Sequence, residues 1–271
     1  MCIVFLRINT QSKFGYKLII ASNRDEFYDR PSASAEWWTD FPSILGGRDL
    51  KRGGTWLAVN RNGKIAIILN QRAIITRKIS KGRGELVPEY LKANISPRAF
   101  IDEYLVKNNK WKQYPPFNLL LFDAKRDYAK AYFCSNCRNK LLFKNISKEN
   151  IFGIANNDIN VKLEAVCNGN TILEKLLSKG KNGMHLRIKN QLLCRLETYR
   201  NDGFMNWART VNYQNPEGLL SIFTRRSDGM FGTRCHTIVS VDEDNNLEFT
   251  EYFLQDSGDW ARKHFIFNIK R

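Results

Sequence analysis

Between residues 55 and 69 the dipeptide Asn62-Gly63 separates two apolar runs, Thr55–Val59 and Lys64–Leu69. This is the strongest short-range signal for a β-hairpin, because a two-residue type I′ turn needs positive φ at both central positions and Asn-Gly supplies it. The pattern recurs. Residues 2–9 and 16–22 read as a second hairpin across a polar turn, and Phe117–Asp123, Tyr128–Cys134 and Asn139–Lys144 as further strands. Near the end, Cys235–Val241 and Leu247–Phe253 flank a charged turn at Asp242–Asn246, and a last apolar run covers His264–Ile269. Helical spacing marks Gly84–Leu91, Arg98–Val106 behind a first-turn Pro97, Val161–Leu177 and Leu186–Tyr199, with a loop at Ser178–Gly183. Strand pairs that look antiparallel, interleaved with helices, predict an α+β protein of stacked sheets flanked by helices. No repeat or linker divides residues 1–271, which read as a single domain.

No apolar run approaches the ~20 residues of a membrane-spanning helix, so no transmembrane segment is expected. The opening Met-Cys-Ile-Val-Phe-Leu-Arg is too short for a signal-peptide core and lacks its basic leader. The chain therefore reads as cytoplasmic and not secreted, its six cysteines as free thiols. Lysine and arginine number 43 against 27 acidic residues, a net charge of +16, which favours anionic partners. Nucleic acid is not expected among them, because the basic residues are scattered and no zinc-finger or RNP-like pattern accompanies them.

Two segments carry candidate chemistry. Removal of Met1 would leave Cys2 as the mature N-terminus, with a thiol nucleophile and an α-amine base on one residue. The plain alternative is a cysteine that merely starts a strand. The second segment is Asn23-Arg24-Asp25-Glu26-Phe27, at the end of the second expected strand and followed by Arg30-Pro31. A charge run there reads as a solvated turn by default. If its strand pairs with the first, Arg24 or Asp25 lies near Cys2, where an arginine lowers a thiol pKa and an aspartate orients an amine.

These residues carry a family resemblance. Met1-Cys2-Ile3, Ala21-Ser22-Asn23-Arg24-Asp25-Glu26-Phe27 and Arg30-Pro31 are similar to the opening of the transport and Golgi organisation protein 2 family, also called the NRDE family. The resemblance continues through Leu45-Gly46-Gly47-Arg48-Asp49-Leu50, Gly53-Gly54-Thr55-Trp56-Leu57 and Gly82-Arg83-Gly84-Glu85-Leu86. It extends to Phe117-Asn118-Leu119-Leu120, Gly153-Ile154-Ala155-Asn156 and Gly232-Thr233-Arg234. It implies a four-layer αββα sandwich with two mainly antiparallel sheets, similar to the N-terminal nucleophile hydrolases. Carried over residue by residue, catalytic roles would fall on Cys2, Arg24, Asp25, Asn156 and Arg234, with Asn70 a second oxyanion candidate. The local order Asn23-Arg24-Asp25-Glu26 departs from that of the related amidases, so the catalytic register does not transfer directly.

The roles proposed for the family are carriage rather than turnover. The resemblance implies an intracellular haem chaperone that passes haem to acceptor proteins, with a part in lipid homeostasis. Acyl-CoA or anionic lipid binding is the alternative, a cysteine amidohydrolase using Cys2 is another, and mitochondrial or Golgi association is implied beside the cytoplasm. Haem and acyl-CoA share an apolar body with anionic groups, so Asn23, Arg24, Asp25, Glu26, Arg48, Arg234 and His236 are the ligand-binding candidates, the arginines by bidentate contact. His236 beside Gly232-Thr233-Arg234 is the candidate haem ligand, although a strand histidine is more often a packed or surface residue. Cys134-Ser-Asn-Cys137 has metal or redox spacing but no second pair, and reads as a hairpin turn with two thiols; no structural metal is expected. Trp37-Trp38 is either core or a ligand wall.

Overall fold

The computed structural model describes residues 2–8, 15–71, 79–107, 109–125, 128–137, 140–195, 221–226 and 228–270. The polar turn expected after residue 9, Asn139 and the stretch of helix expected as far as Tyr199 beyond residue 195 lie outside them. The strands are β1 (Ile3–Ile8), β2 (Tyr16–Phe27), β3 (Ser32–Trp37), β4 (Ile44–Asp49), β5 (Leu57–Asn60), β6 (Lys64–Asn70) and β7 (Phe117–Asp123). They continue as β8 (Lys130–Ser135), β9 (Leu142–Asn145), β10 (Ile151–Ala155), β11 (Phe231–Asp242), β12 (Asn246–Leu254) and β13 (Trp260–Asn268). The helices are α1 (Leu86–Lys92), α2 (Pro97–Ala99), α3 (Glu164–Leu177) and α4 (Met184–Ile188). The second and fourth widen into π-type turns over Phe100–Val106 and Lys189–Leu193. Pro97 opens α2, and the Ser96 hydroxyl caps it by accepting from the Ala99 N–H.

One sheet runs β10-β1-β2-β11-β12-β13 and the other β3-β4-β5-β6-β7-β8-β9, and the pairings in both are antiparallel. Strand alternation sorts their apolar residues into three cores. Val4, Leu6, Leu18 and Ile20 of the first sheet meet Leu57, Ile65, Ile67 and Leu120 of the second. Ile3, Phe5, Ile19 and Ala21 point the other way, into Val166, Leu173 and Leu176 of α3 and Ile188 of α4. Ala66, Ile68, Leu119 and Leu121 pack on Leu86, Val87 and Tyr90 of α1 and on Phe100. Three cores between four layers give the α+β, αββα order that the resemblance implied. Among the described residues no helix is long and apolar enough to cross a membrane.

Two local expectations change. The hairpin at Asn62-Gly63 exists, with Val59 opposite Ile65, but only Gly63 has positive φ, at 80°. The loop is therefore a type I turn closed by a left-handed glycine, the three-residue alternative to the type I′ turn. Asn60 decides this: its Oδ1 accepts from the N–H groups of Asn62 and Lys64, both at 3.0 Å. A Cβ on Gly63 would also fall 2.8 Å from the Ile269 side chain.

The second change matters more. Asn23-Arg24-Asp25-Glu26-Phe27 is not a turn after β2 but its last five residues, paired with β11 as far as Phe231 opposite Phe27. Asn23, Arg24 and Asp25 are buried at 0%, 6% and 5% exposure, so their polar groups are satisfied inside the protein rather than by water.

Where the ends of the two sheets meet, Asn118 of β7 crosses between them. Its Nδ2 donates to the Ala155 carbonyl at 3.0 Å and to the Asn157 carbonyl at 2.8 Å. Asn118→Ala removes both bonds at a fully buried position and is expected to cost about 2 kcal/mol. A urea melt checks this through a lower midpoint at unchanged slope; an unchanged midpoint would show that the clamp is dispensable.

Candidate functional site

Cys2 lies just before β1, and because Ile3 pairs with Asn23 its side chain comes alongside residue 25 of β2. The thiol sulfur accepts from the Asp25 N–H at 3.3 Å and faces the Asp25 carbonyl at 3.5 Å. Burial, then the Asp25 charge, pushes the thiol up to about 11, against weaker opposition from the Asp25 N–H and Arg24. At neutral pH it is a protonated thiol. The Asp25 carboxylate itself turns to Thr233, whose hydroxyl donates to Oδ1 at 2.7 Å.

The cavity in front of Cys2 has a volume of about 330 Å³ and is closed by the second sheet and its loops. Arg24 spans the gap, its guanidinium 4.2 Å from the centre of the Trp56 ring. The loops carrying Gly54 and Gly84 press together so closely that a Cβ on Gly54 would lie 2.5 Å from the Gly84 carbonyl carbon. Their contact brings Arg52 and Arg83 to the same wall, so four guanidinium groups, of Arg24, Arg30, Arg52 and Arg83, line one cavity.

Four acidic residues line it too, Asp25, Glu26, Asp49 and Glu85. They are largely spent on other partners. Asp49 Oδ2 takes Arg30 Nε and Nη2 at 2.9 and 2.7 Å, and its Oδ1 takes the N–H groups of Lys51 and Arg52. Glu85 accepts from the Gly82 N–H at 2.7 Å, and Glu26 is shared between Arg24 at 3.9 Å and Arg30 at 3.6 Å. Arg83 is left with the Pro116 carbonyl, at 2.7 Å, and has no carboxylate partner among the described residues; nor has Arg52. Burial, then the charge of Arg52, lowers Arg83 to about 10.

Asn70, at the end of β6, lines the cavity, and Asn156 donates from Nδ2 to the Asn70 carbonyl, so both amides stand at the Cys2 end. The other sequence candidates lie elsewhere. Arg48 is held by both oxygens of Asp40, at 2.7 Å each, and stacks on Trp38 at 4.2 Å, outside this cavity. Arg234 is the extra residue of a bulge in β11 between Thr233 and Cys235. Its guanidinium donates to the carbonyls of Phe27 and Arg30 and lines neighbouring cavities rather than that of Cys2.

Asn23 points toward the helices. Its Nδ2 donates to the carbonyls of Leu193 and Ile222, which leaves Oδ1 to accept from His236 Nδ1 at 2.7 Å. His236 Nε2 then faces Cys194 Sγ at 3.6 Å. The order Cys–His–Asn is that of a thiol-protease triad. Yet the ring is 1% exposed, stacks on Trp260 at 4.6 Å, and burial brings its pKa down to about 3. A base that cannot hold a proton at neutral pH is a packing element. The Ser240–His185–Thr250 network is equally closed to solvent, with His185 also at about 3 through burial.

Trp38 is core, donating to the Gly46 carbonyl, and Trp37 packs edge-on to Phe267. Cys134 and Cys137 are buried free thiols around Asn136, which pins the turn by accepting from the Phe117 N–H and donating to the Trp111 carbonyl. Among the described residues no group of three or more His, Cys, Asp or Glu is placed to hold a metal.

A family model, Transport and Golgi organisation 2, matches residues 1–256. The chain belongs to that family. The Transport and Golgi organization protein 2 homolog of Homo sapiens is 27% identical, with all of both chains covered. The protein of that name in Drosophila melanogaster is 27% identical, covering 97% of each. Solved structures similar to this member of the Transport and Golgi organisation 2 family include a C2A mutant of a conjugated bile acid hydrolase from Clostridium perfringens. Identity there is 11%, coverage 99% of this chain and 97% of that one, and the TM-score 0.47. The N-acylethanolamine-hydrolyzing acid amidase ortholog of Caenorhabditis elegans gives 10% identity, 89% and 93% coverage, and a TM-score of 0.44.

Sequence reading gave no role to Arg52, Arg83 or Trp56, although Arg83 and Trp56 lie in the segments that carry the resemblance. The signal was there in the paired Gly-rich segments 53–57 and 82–86. What was missing was their contact, which no local pattern encodes.

The two neutral histidines set a pH dependence. Unfolded, His185 and His236 titrate near 6.5; folded, each titrates at about 3. Their share of stability is therefore complete above pH 6.5 and is lost as pH falls toward 3, at about 1.4 kcal/mol per pH unit for each ring. Urea midpoints measured from pH 7 to pH 4 are expected to fall, and less steeply in His236→Gln. Equal slopes in both proteins would place the acid sensitivity elsewhere.

Proposed function

We propose that the chain binds and carries an anionic ligand with an apolar body, gripped by its charged end in the cavity beside Cys2. Arg83 is the observation that carries this reading. A half-buried guanidinium without a carboxylate partner is a ready seat for an anion, which would complete its donors. Its planar donors suit the bidentate hold on phosphate or carboxylate, with Arg52 and Arg24 on the same walls.

Two ligands meet that chemistry. Haem would present its propionates, and acyl-CoA or another anionic lipid its phosphates. No histidine is among the residues lining this cavity, so haem would be anchored by its propionates, with Cys2 the neighbouring sulfur. With Met1 in place, a thiol pushed up to about 11 favours carriage over turnover, because the thiolate is the nucleophile. Handing haem to acceptor proteins, with a part in lipid homeostasis, is the cellular role this reading supports.

A cysteine amidohydrolase is the second reading, favoured by the position of Cys2 between the Asp25 backbone and the amides of Asn70 and Asn156. It requires loss of Met1, so that the α-amine of Cys2 becomes the base. The intact mass of the purified protein decides that point, and retained Met1 sinks it.

Haem and palmitoyl-CoA titrated into the wild type, Arg83→Ala and Cys2→Ala separate these readings. Arg83→Ala is expected to weaken the bound ligand by about 1.5–3 kcal/mol, the range for a hydrogen bond to a charged group. Cys2→Ala should bind nearly as the wild type does. Undiminished affinity in Arg83→Ala, with its circular dichroism intact, overturns the carrier site. Release of an acyl or amide product by the wild type and not by Cys2→Ala would establish the hydrolase instead.

A further inference from the structure

Among the described residues each sheet ends on two edge strands, β10 and β13 in the first and β3 and β9 in the second. Of these four, β9 alone is exposed at every residue. The Ile146 N–H donates to the Ala131 carbonyl at 2.9 Å, and Asn145 stands opposite Tyr132. Antiparallel alternation then turns the main-chain groups of Leu142 and Lys144 toward β8 and those of Phe143 and Asn145 outward. Such an edge is a template for one more strand. Leu142 and Phe143, 44% and 39% exposed, give it an apolar side chain on each face.

The ground beside this edge is basic. Against Tyr132 and Asn145 lies a cavity of about 380 Å³, to which Arg98, Lys130 and Lys148 bring charge and Tyr128 an exposed ring. No carboxylate lines it. Arg98 is shared with Asp102 at 2.6 Å and lies over the Phe143 ring at 4.6 Å. Lys130 and Lys148 have no acidic partner among the described residues. An edge set among lysines opposes pairing with a second copy of the chain, which would bring the same charges against it. It attracts an acidic strand instead.

We propose that β9 is the docking edge for an extended acidic segment of another protein, which adds a strand to the second sheet and sets a carboxylate beside Lys130 and Lys148. The outward main-chain groups of Phe143 and Asn145 supply the hold, and the basic cavity supplies the choice of side chain. This cavity shares no residue with that of Cys2, so the docking does not depend on the carrier reading.

The probe is a fluorescein-labelled peptide of alternating valine and glutamate. Its control is the same peptide N-methylated at every residue, which keeps the charge and removes the donors of a ladder. By anisotropy the wild type is expected to bind the unmethylated peptide at least tenfold more tightly. Lys130→Glu with Lys148→Glu should abolish that binding. Lys175→Glu with Lys179→Glu, an equal change of charge at exposed positions on and just after α3, should leave it nearly intact. Phe143→Pro deletes one outward N–H without touching the bonds to β8, so it should weaken binding tenfold, and Phe143→Ala, which keeps the N–H, by less. Equal binding of the two peptides overturns the added strand. Equal loss in the two charge-reversed pairs overturns the cavity, leaving only the diffuse charge of the chain. An oligouridine that outbinds the peptide and is unaffected by Phe143→Pro would assign the surface to nucleic acid and overturn the proposal.

Discussion

Strand β2 is hydrogen-bonded along both edges, by β1 and by β11, and covered on both faces, by the α3 and α4 layer on one side and by the second sheet on the other. A strand so enclosed normally ends where its apolar residues end. This one continues through four polar residues, and each has to be satisfied from a particular neighbour. Asn23 takes the backbone around α4 and the ring of His236, Arg24 the face of Trp56, Asp25 the hydroxyl of Thr233, and Glu26 two arginines. The candidate site is the place where these obligations converge with Cys2.

The charge of the site follows from the same bookkeeping. Its lining is formally balanced, yet the acids are occupied by backbone N–H groups, a hydroxyl, Arg24 and Arg30, which leaves Arg83 and Arg52 without a carboxylate partner among the described residues. The overall charge of +16 therefore does not explain the site. It adds a diffuse field that attracts anions from a distance, whereas the proposed hold on one depends on two particular guanidinium groups.

Much of the fold was legible because antiparallel strands and amphipathic helices write local patterns. β7 was read to the residue, and β5–β6 was read as a hairpin with the wrong turn, since the pull of Asn60 on the loop is invisible in the Asn-Gly signal. β3, with its Ser-Ala alternation, and β10, only five residues long, carry too little apolar contrast to announce themselves. β13 begins at Trp260, four residues before the apolar run that marked it, because Arg262 and Lys263 interrupt its apolar pattern. Of the candidate residues, Cys2, Arg24, Asp25, Glu26 and Asn70 share a cavity, which Asn156 joins through Asn70. Asn23 and His236 were sent to the opposite face by strand alternation, which a segment taken for a turn does not have. Arg83 and Trp56 show the remaining limit: which group such a side chain meets depends on residues far away in the chain.

The bulge at Arg234 bears on how chains of this kind are compared. Thr233 and Cys235 face Asp25 and Arg24 in a ladder that runs unbroken from there to Val241, so Arg234 stands outside the count that fixes which side chain faces which sheet. A chain one residue shorter at this point would keep every other pairing of β11. It would lose only the strut that ties the carbonyls of Phe27 and Arg30. A single-residue gap aligned there is thus a real difference in build, a missing brace, and not an alignment error to be shifted into the nearest loop.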